Sequence, residues 1–274
     1  MYKLTVKPWI DIEKNYWNDL LLNPNPNVIP LIEQNIDKVY NWNWLSSNPN
    51  AIPLLEKYPD RIDWNDLSAN PNAIHLLKKN PDKINWKWLS RNPNAIPLLE
   101  KYPKKICWHG LSSNPNAIHI LEKNQDKIVW MWLSENPNAI PLLEKNIDKI
   151  HWKFLSANPN ALPLLEKHPD KIDWYWLSRN PSAIHLLEAN QDKINWKMLS
   201  QNPNGMYLLE ANPDKIWMFH RLLTNPSIFE LDYEALKERC DIYKEELIQK
   251  AFHPTRIQKY LDMGISIDEL DNCI

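Results

Sequence analysis

A tryptophan returns every 22 residues: Trp42, Trp64, Trp86, Trp108, Trp130, Trp152, Trp174 and Trp196. Asn-Pro keeps the same step, at Asn48, Asn70, Asn92, Asn114, Asn136, Asn158, Asn180 and Asn202. The unit reads I-x-W-x-x-L-S-x-N-P-N-A-I-x-L-L-E-K-N-P-D-K and runs from about residue 40 to 215 without insertion. A degenerate unit precedes it over residues 17–39, its Asn-Pro step stretched to Asn23-Pro24-Asn25-Pro26-Asn27, and another trails off from Ile216 to Pro226. A unit this short cannot bury its own apolar face, so successive units must stack.

Each unit holds two short helical segments. Asp63, Asn85, Asp173 and Asn195 stand before the Trp as N-caps would. The Asn-Pro step ends the first segment, because the residue before Pro is pushed out of the α region. In half of the units Pro53, Pro97, Pro141 or Pro163 follows. These prolines suit a second helix capped by the second Asn (Asn50, Asn94, Asn138, Asn160), which would put them at N3. With only three glycines in 274 residues, Asn is the expected occupant of positive-φ sites, and a Gly-rich phosphate loop is absent.

The expected fold is therefore all-α: a solenoid of about ten 22-residue, two-helix (α or α/3₁₀) repeats. Residues 1–16 would form an N-terminal cap, 17–226 the solenoid and 227–274 a helical C-terminal cap. In the last part Tyr233, Leu236, Cys240, Tyr243 and Leu247 make an amphipathic stripe. A second short helix over Thr255 to Met263 would stop at Gly264, and Ser266 and Glu269 have capping-box spacing.

Lysine and arginine number 32 against 34 acidic residues. A strong basic excess, the plainest mark of a nucleic-acid or acidic-membrane binder, is missing. Three cysteines without a spacing pattern give no disulfide framework. No apolar run suits a signal peptide or a membrane span. The expected location is intracellular, not secreted.

The repeat resembles the leucine-rich variant repeats, which alternate an α-helix with a 3₁₀-helix and carry an Asn/Asp-Pro step; this bears on architecture. The units NPNAIPLLEKNIDKI and NPNAIHLLEANQDKI, with the tail EELIQKAFHPTRIQKYLDMG, resemble uncharacterised proteins found in several copies in giant DNA viruses of protists. That resemblance implies a viral origin, hence host cytoplasm or virion, and lends no functional residues.

The ladder Trp42, Trp64, Trp86, Trp108, Trp130, Trp152, Trp174 and Trp196 shares its face with Leu and Ile and is expected to be structural core. Two residues on, Trp44, Asp66, Trp88, Gly110, Trp132, Phe154, Trp176 and Met198 lie about 200° round the helix and are expected to face outward. The neighbouring column, which includes Lys87, Lys153 and Tyr175, is the most variable in the unit. A constant frame with a varying face is how recognition solenoids are built. Trp44, Trp88, Trp132, Trp176, Phe154, Met198, Lys87, Lys153 and Tyr175 are therefore the candidate partner-binding residues. The Asp and Lys columns (Asp60/Arg61, Asp82/Lys83 and successors) and a Glu column (Glu56, Glu100, Glu122, Glu144, Glu166, Glu188) are expected to form ion pairs between units. His75, His119 and His185 lie two or more units apart, too far for one metal, and no catalytic motif is present. The function expected is a non-catalytic scaffold or adaptor for protein–protein interaction, without cofactor, metal or membrane. The alternative is a modular single-stranded nucleic-acid-binding solenoid, which the charge balance disfavours.

Overall fold

The computed structural model describes residues 4–10, 17–216 and 219–263. It is an array of short helices. A repeat runs from a first helix (Trp64–Ala69) through a 3₁₀ turn (Pro71–Ala73), a second helix (Ile74–Lys79) and another 3₁₀ turn (Pro81–Lys83) to the next Trp. The chain forms two compact units, residues 8–228 and residues 1–7 with 229–274.

Asp63, Asn85, Asp173 and Asn195 cap the first helices as expected, accepting hydrogen bonds from backbone N–H groups in the first turn. The second helix is built differently from the expectation. The first Asn of Asn-Pro-Asn is the capping group, and it caps the 3₁₀ turn: Asn92 Oδ1 accepts from the Asn94 N–H at 2.9 Å. The α-helix starts after Ala95, which puts Pro97 at its second position. There a missing N–H leaves no bond unmade. The Asn residues that end second helices, such as Asn80 (φ −130°) and Asn146 (φ −137°), do not adopt left-handed backbone. Each instead returns its amide to the carbonyl four residues back.

The freed second Asn reaches the preceding repeat. Asn94 Nδ2 donates to the Pro71 carbonyl at 2.9 Å, and the same bond recurs from Asn50 to Asn204 except in the repeat where Ser182 replaces the Asn. The first Asn is fully buried and donates twice across the same joint. Asn70 Nδ2 meets the carbonyls of Ser46 and Asn48, and Asn92 those of Ser68 and Asn70. The buried Ser is a third link. Ser68 Oγ donates to the Trp64 carbonyl at 2.7 Å and accepts the Asn85 N–H of the next repeat at 3.0 Å. Neighbouring repeats are thus joined by side-chain-to-backbone bonds; those of the first Asn are buried, where an unmade bond costs about 1–3 kcal/mol.

This belt closes. Asn225 in the last repeat donates to Ser200 and Asn202. Asn23 in the first donates to the carbonyls of Leu223 (2.7 Å) and Asn225 (2.8 Å), and Asn25 to that of Pro226 (2.9 Å). Ten repeats therefore form a ring in which repeat 1 stacks on repeat 10. Ten buried asparagines, Asn23 to Asn225, mark them. Both Asn-Pro-Asn-Pro-Asn (23–27) and Asn225-Pro226-Ser227, read from sequence as degenerate margins, are regular members of the belt.

First helices and Asn-Pro turns of successive repeats lie in close contact, whereas successive second helices stand farther apart. In a ring the separation between neighbours grows with radius, so the first helices occupy the inner rim and the second helices the outer one.

The core between the two rims is Leu45, Leu67, Leu89, Leu111, Leu133, Leu155, Leu177 and Leu199 from first helices, with the turn alanines (Ala73, Ala95, Ala117) and second-helix leucines (Leu77, Leu99, Leu121), all fully buried. The ladder tryptophans, expected in that core, are half-buried. The reason is their partner. In four repeats whose second helix ends in Asn, a Lys of the following turn lies over the indole: Lys83 on Trp64 (4.5 Å), Lys127 on Trp108, Lys149 on Trp130 and Lys193 on Trp174. Where it ends in Tyr or His, that ring packs there instead: Tyr58 on Trp42, Tyr102 on Trp86, His168 on Trp152. An indole covered by a Lys stem keeps the ammonium in water and stays partly exposed. The Lys column therefore serves the Trp ladder. The ion pairs it makes, Lys171–Asp170 and Lys215–Asp214, lie within a repeat and not between repeats.

The second unit pairs strand β1 (Leu4–Val6) antiparallel with β2 (Phe229–Leu231), Leu4 facing Leu231, and adds helices Tyr233–Ala251 and Pro254–Asp262. The long helix is capped by Asp232. Of its expected apolar stripe, Tyr233, Cys240 and Tyr243 are exposed and Leu236 is half-buried. Gly264, Ser266 and Glu269 lie outside the described residues.

Candidate binding face on the inner rim

The first helix spans little more than one turn, so each position has one environment. With Leu67 and Ser68 fixed inward by packing and by the Ser relay, the residue two after the Trp is turned to the other side of the helix. The resulting column is a run of interacting rings. Phe154 lies 5.7 Å from Trp132 and 5.5 Å from Trp176, the latter pair stacked at 30°. The Arg91 guanidinium lies 5.8 Å from the Trp88 ring and 5.7 Å from that of Trp132, two repeats on. Side chains two repeats apart that meet through one guanidinium are converging. The column accordingly points toward the ring axis, a correction of the outward face expected from helical geometry: the outer rim is taken by the second helices.

Trp44, Trp88, Trp132, Phe154 and Trp176 are half-buried, and Met198 is buried, at 3% exposure. Met198 is thus part of the packing and not of an accessible stripe. Lys87, Lys153 and Tyr175 are exposed beside the rings. Lys153 reaches over Trp176 at 5.8 Å, and Tyr175 meets the same indole at 5.7 Å. The Trp176 Nε1 is buried without a hydrogen-bond partner. Asp66 interrupts the column in repeat 3. Its carboxyl is pushed up from the usual carboxylate range by burial and, second, by the neighbouring Asp63.

Arg91, in the position after the buried Ser, was not singled out by sequence reasoning. Its column (Ser47, Ala69, Arg91, Ser113, Glu135, Ala157, Arg179, Gln201) varies as freely as the one that was, which is the signal that could have found it.

His75, His119 and His185 sit on the outer rim. Each bridges to a Glu of the preceding repeat: Glu56 at 3.2 Å, Glu100 at 3.1 Å and Glu166 at 3.5 Å. In repeat 9, Tyr207 takes the same place and donates to Glu188. With Lys57 on Glu33, these contacts make the Glu column the one that links repeats. Among the described residues, no three His, Cys, Asp or Glu groups are placed to hold a metal, and no helix is long and apolar enough to cross a membrane.

No family model, curated protein or solved structure matches this chain.

Proposed function

We propose that the ring is a non-catalytic scaffold or adaptor that holds a segment of a partner protein along its inner rim. The observation that supports this is the unbroken run Trp132–Phe154–Trp176, partly exposed and flanked by Lys153 and Tyr175. Rigid aromatic rows with adjacent cations are where interface energy concentrates. The partner segment is apolar with acidic side chains, matching Lys87, Lys153 and Lys197 on the same rim. If the resemblance to giant-virus repeat proteins reflects common descent, the partner belongs to an infected cell.

A second reading, single-stranded nucleic acid on the same rim, is favoured by the proximity of Lys153 and Arg91 to the rings, since stacked aromatics with interleaved cations suit bases and phosphates. Capture from infected cells with and without nuclease, at low and high salt, separates the two. Retention that survives both nuclease and salt, and is lost in Trp132→Ala/Trp176→Ala, supports the protein reading. Retention abolished by nuclease supports the other.

A further inference from the structure

The inner column is bulky on both sides of one position and empty at it. Gly110 stands between Trp88 and Trp132, and the gap is a cavity of about 460 Å³ lined by Lys87, Trp88, Arg91, His109, Gly110 and Trp132, with Cys107 and Ser113 at its edge. That volume lies within the range of about 300–1,000 Å³ typical of small-molecule sites. The glycine is required by the backbone: a Cβ there would stand 2.8 Å from the Lys87 carbonyl oxygen. Local packing therefore keeps the slot free of any side chain from its own repeat.

Two features of the lining define what fits. The walls are flat. Arg91 is 5.8 Å from one indole and 5.7 Å from the other. Those two legs cap the indole-to-indole distance at about 11.5 Å, and a flat ring stacked on either indole at about 3.5–4 Å displaces the guanidinium sideways. The charge is one-sided: Lys87 and Arg91 are cationic, and no carboxylate lines the cavity. A cationic guest would meet like charge, whereas a flat ring carrying an anionic group would meet complementary charge.

We propose that this slot binds a nucleotide, its base stacked on the Trp132 indole and its phosphate held by Lys87 and Arg91. The site shares Trp132 and Lys87 with the rim assigned to a partner segment above, but it rests on its own cavity and not on Phe154 or Trp176. The ligand is either a free mononucleotide or one residue of a single strand, and the shared chemistry is a base with a phosphate.

Calorimetric titration with AMP, adenosine, ribose 5-phosphate and phenyl phosphate tests it. AMP should bind saturably at one site, with each of the other three weaker by about tenfold or more, the loss expected when one base stack or its charge partner is removed. Trp132→Leu, Arg91→Ala and Lys87→Ala should each weaken AMP, while Trp44→Leu, on the same column but away from the slot, leaves it unchanged. Lys87 is exposed, so its variant tests the site even if a Trp132 variant is unstable. A short oligoadenylate that binds more tightly than AMP and is weakened by the same variants identifies a strand as the source, and equal binding identifies the free nucleotide. No saturable AMP binding, equal affinity for phenyl phosphate, or affinity unmoved by all three variants overturns the proposal. A Trp176→Ala protein, altered outside the slot, that loses partner capture while its AMP affinity is unchanged separates the failure of one reading from that of the other.

Discussion

The Asn23 side-chain amide donates to the backbone carbonyl of Asn225 at 2.8 Å, across 202 positions of chain. The same bond joins each other pair of neighbouring repeats at a sequence distance of 22 to 25 residues, as Asn114 to Asn92 does. One interaction is thus used nine times between neighbours in sequence and a tenth time between the first repeat and the last.

That equivalence is measurable. In an open array, removing a buried group from the terminal repeat exposes only a frayed end. In a ring there is no terminal repeat. Asn23→Ala should destabilise the protein by as much as Asn114→Ala, about 2–4 kcal/mol each, from three lost side-chain bonds apiece. Asn116→Ala, which removes one exposed bond to Pro93, should cost less than about 1 kcal/mol. Urea midpoints decide it: an Asn23 variant as stable as wild type would contradict closure.

The depth of each ladder sets a second expectation. Leu111 is fully buried and Trp108 only partly so. Leu111→Ala should cost about 3–5 kcal/mol, within the range of large core truncations. Trp108→Ala and Trp88→Ala should fall below it and near each other, because both indoles keep one side toward water. Thermal melts that rank Trp108 above Leu111 would restore the tryptophans to the core.

Gly110 lies inside a helix, where alanine is ordinarily better by about 1 kcal/mol. Here the sign should reverse. The added carbon meets a backbone oxygen at 2.8 Å and Arg91 Cγ at 3.1 Å, and overpacking of this kind costs about 1–3 kcal/mol. A Gly110→Ala protein melting above wild type would show that the Lys87 carbonyl yields easily.

Asp66 supplies a pH test. Its carboxyl titrates above the ordinary value in the folded ring. The native state therefore holds that proton more tightly than the unfolded chain, and stability falls as pH rises through the carboxylate range, then levels off above the folded value. Asp66→Asn should match wild type in acid, where the group is protonated in both states, and exceed it at neutral pH. Denaturant titrations of the pair at about pH 3 and pH 7 check this. A stability difference that does not change with pH would remove the burial argument.

The period, the first-helix caps and the existence of two segments per unit were legible because each is written locally, in residues a few positions apart. The inner column was legible as a pattern of variation but was assigned the wrong side. Helical phase tells which residues share a face, not which face a closed body turns inward. Closure itself leaves no mark in any one repeat. It depends on a small rotation per joint that sums to a full turn, and the ten joints use the same Asn and Ser chemistry that an open array would. The margin at 23–27 looked degenerate only because it was compared with its neighbours in sequence and not with residues 223–227. The Trp ladder misled for a different reason: large and periodic reads as core, yet Lys83 or Tyr102 serves as its outer cover, and both look like surface residues in the chain.

Because the inner helices pack side by side round a full circle, the bore is a gauge whose setting is the number of repeats. With neighbouring helices about 8–10 Å apart, ten of them make a circuit of roughly 90 Å. A descendant that gained or lost one unit by duplication or deletion would not lengthen or shorten an arm. It would have to reset every joint angle at once or fail to meet itself. In such a lineage, copies of the gene can drift freely at Lys87, Arg91 or Tyr175 while the count of asparagines stays fixed, so diversity accumulates in what the rim touches and not in how wide it is.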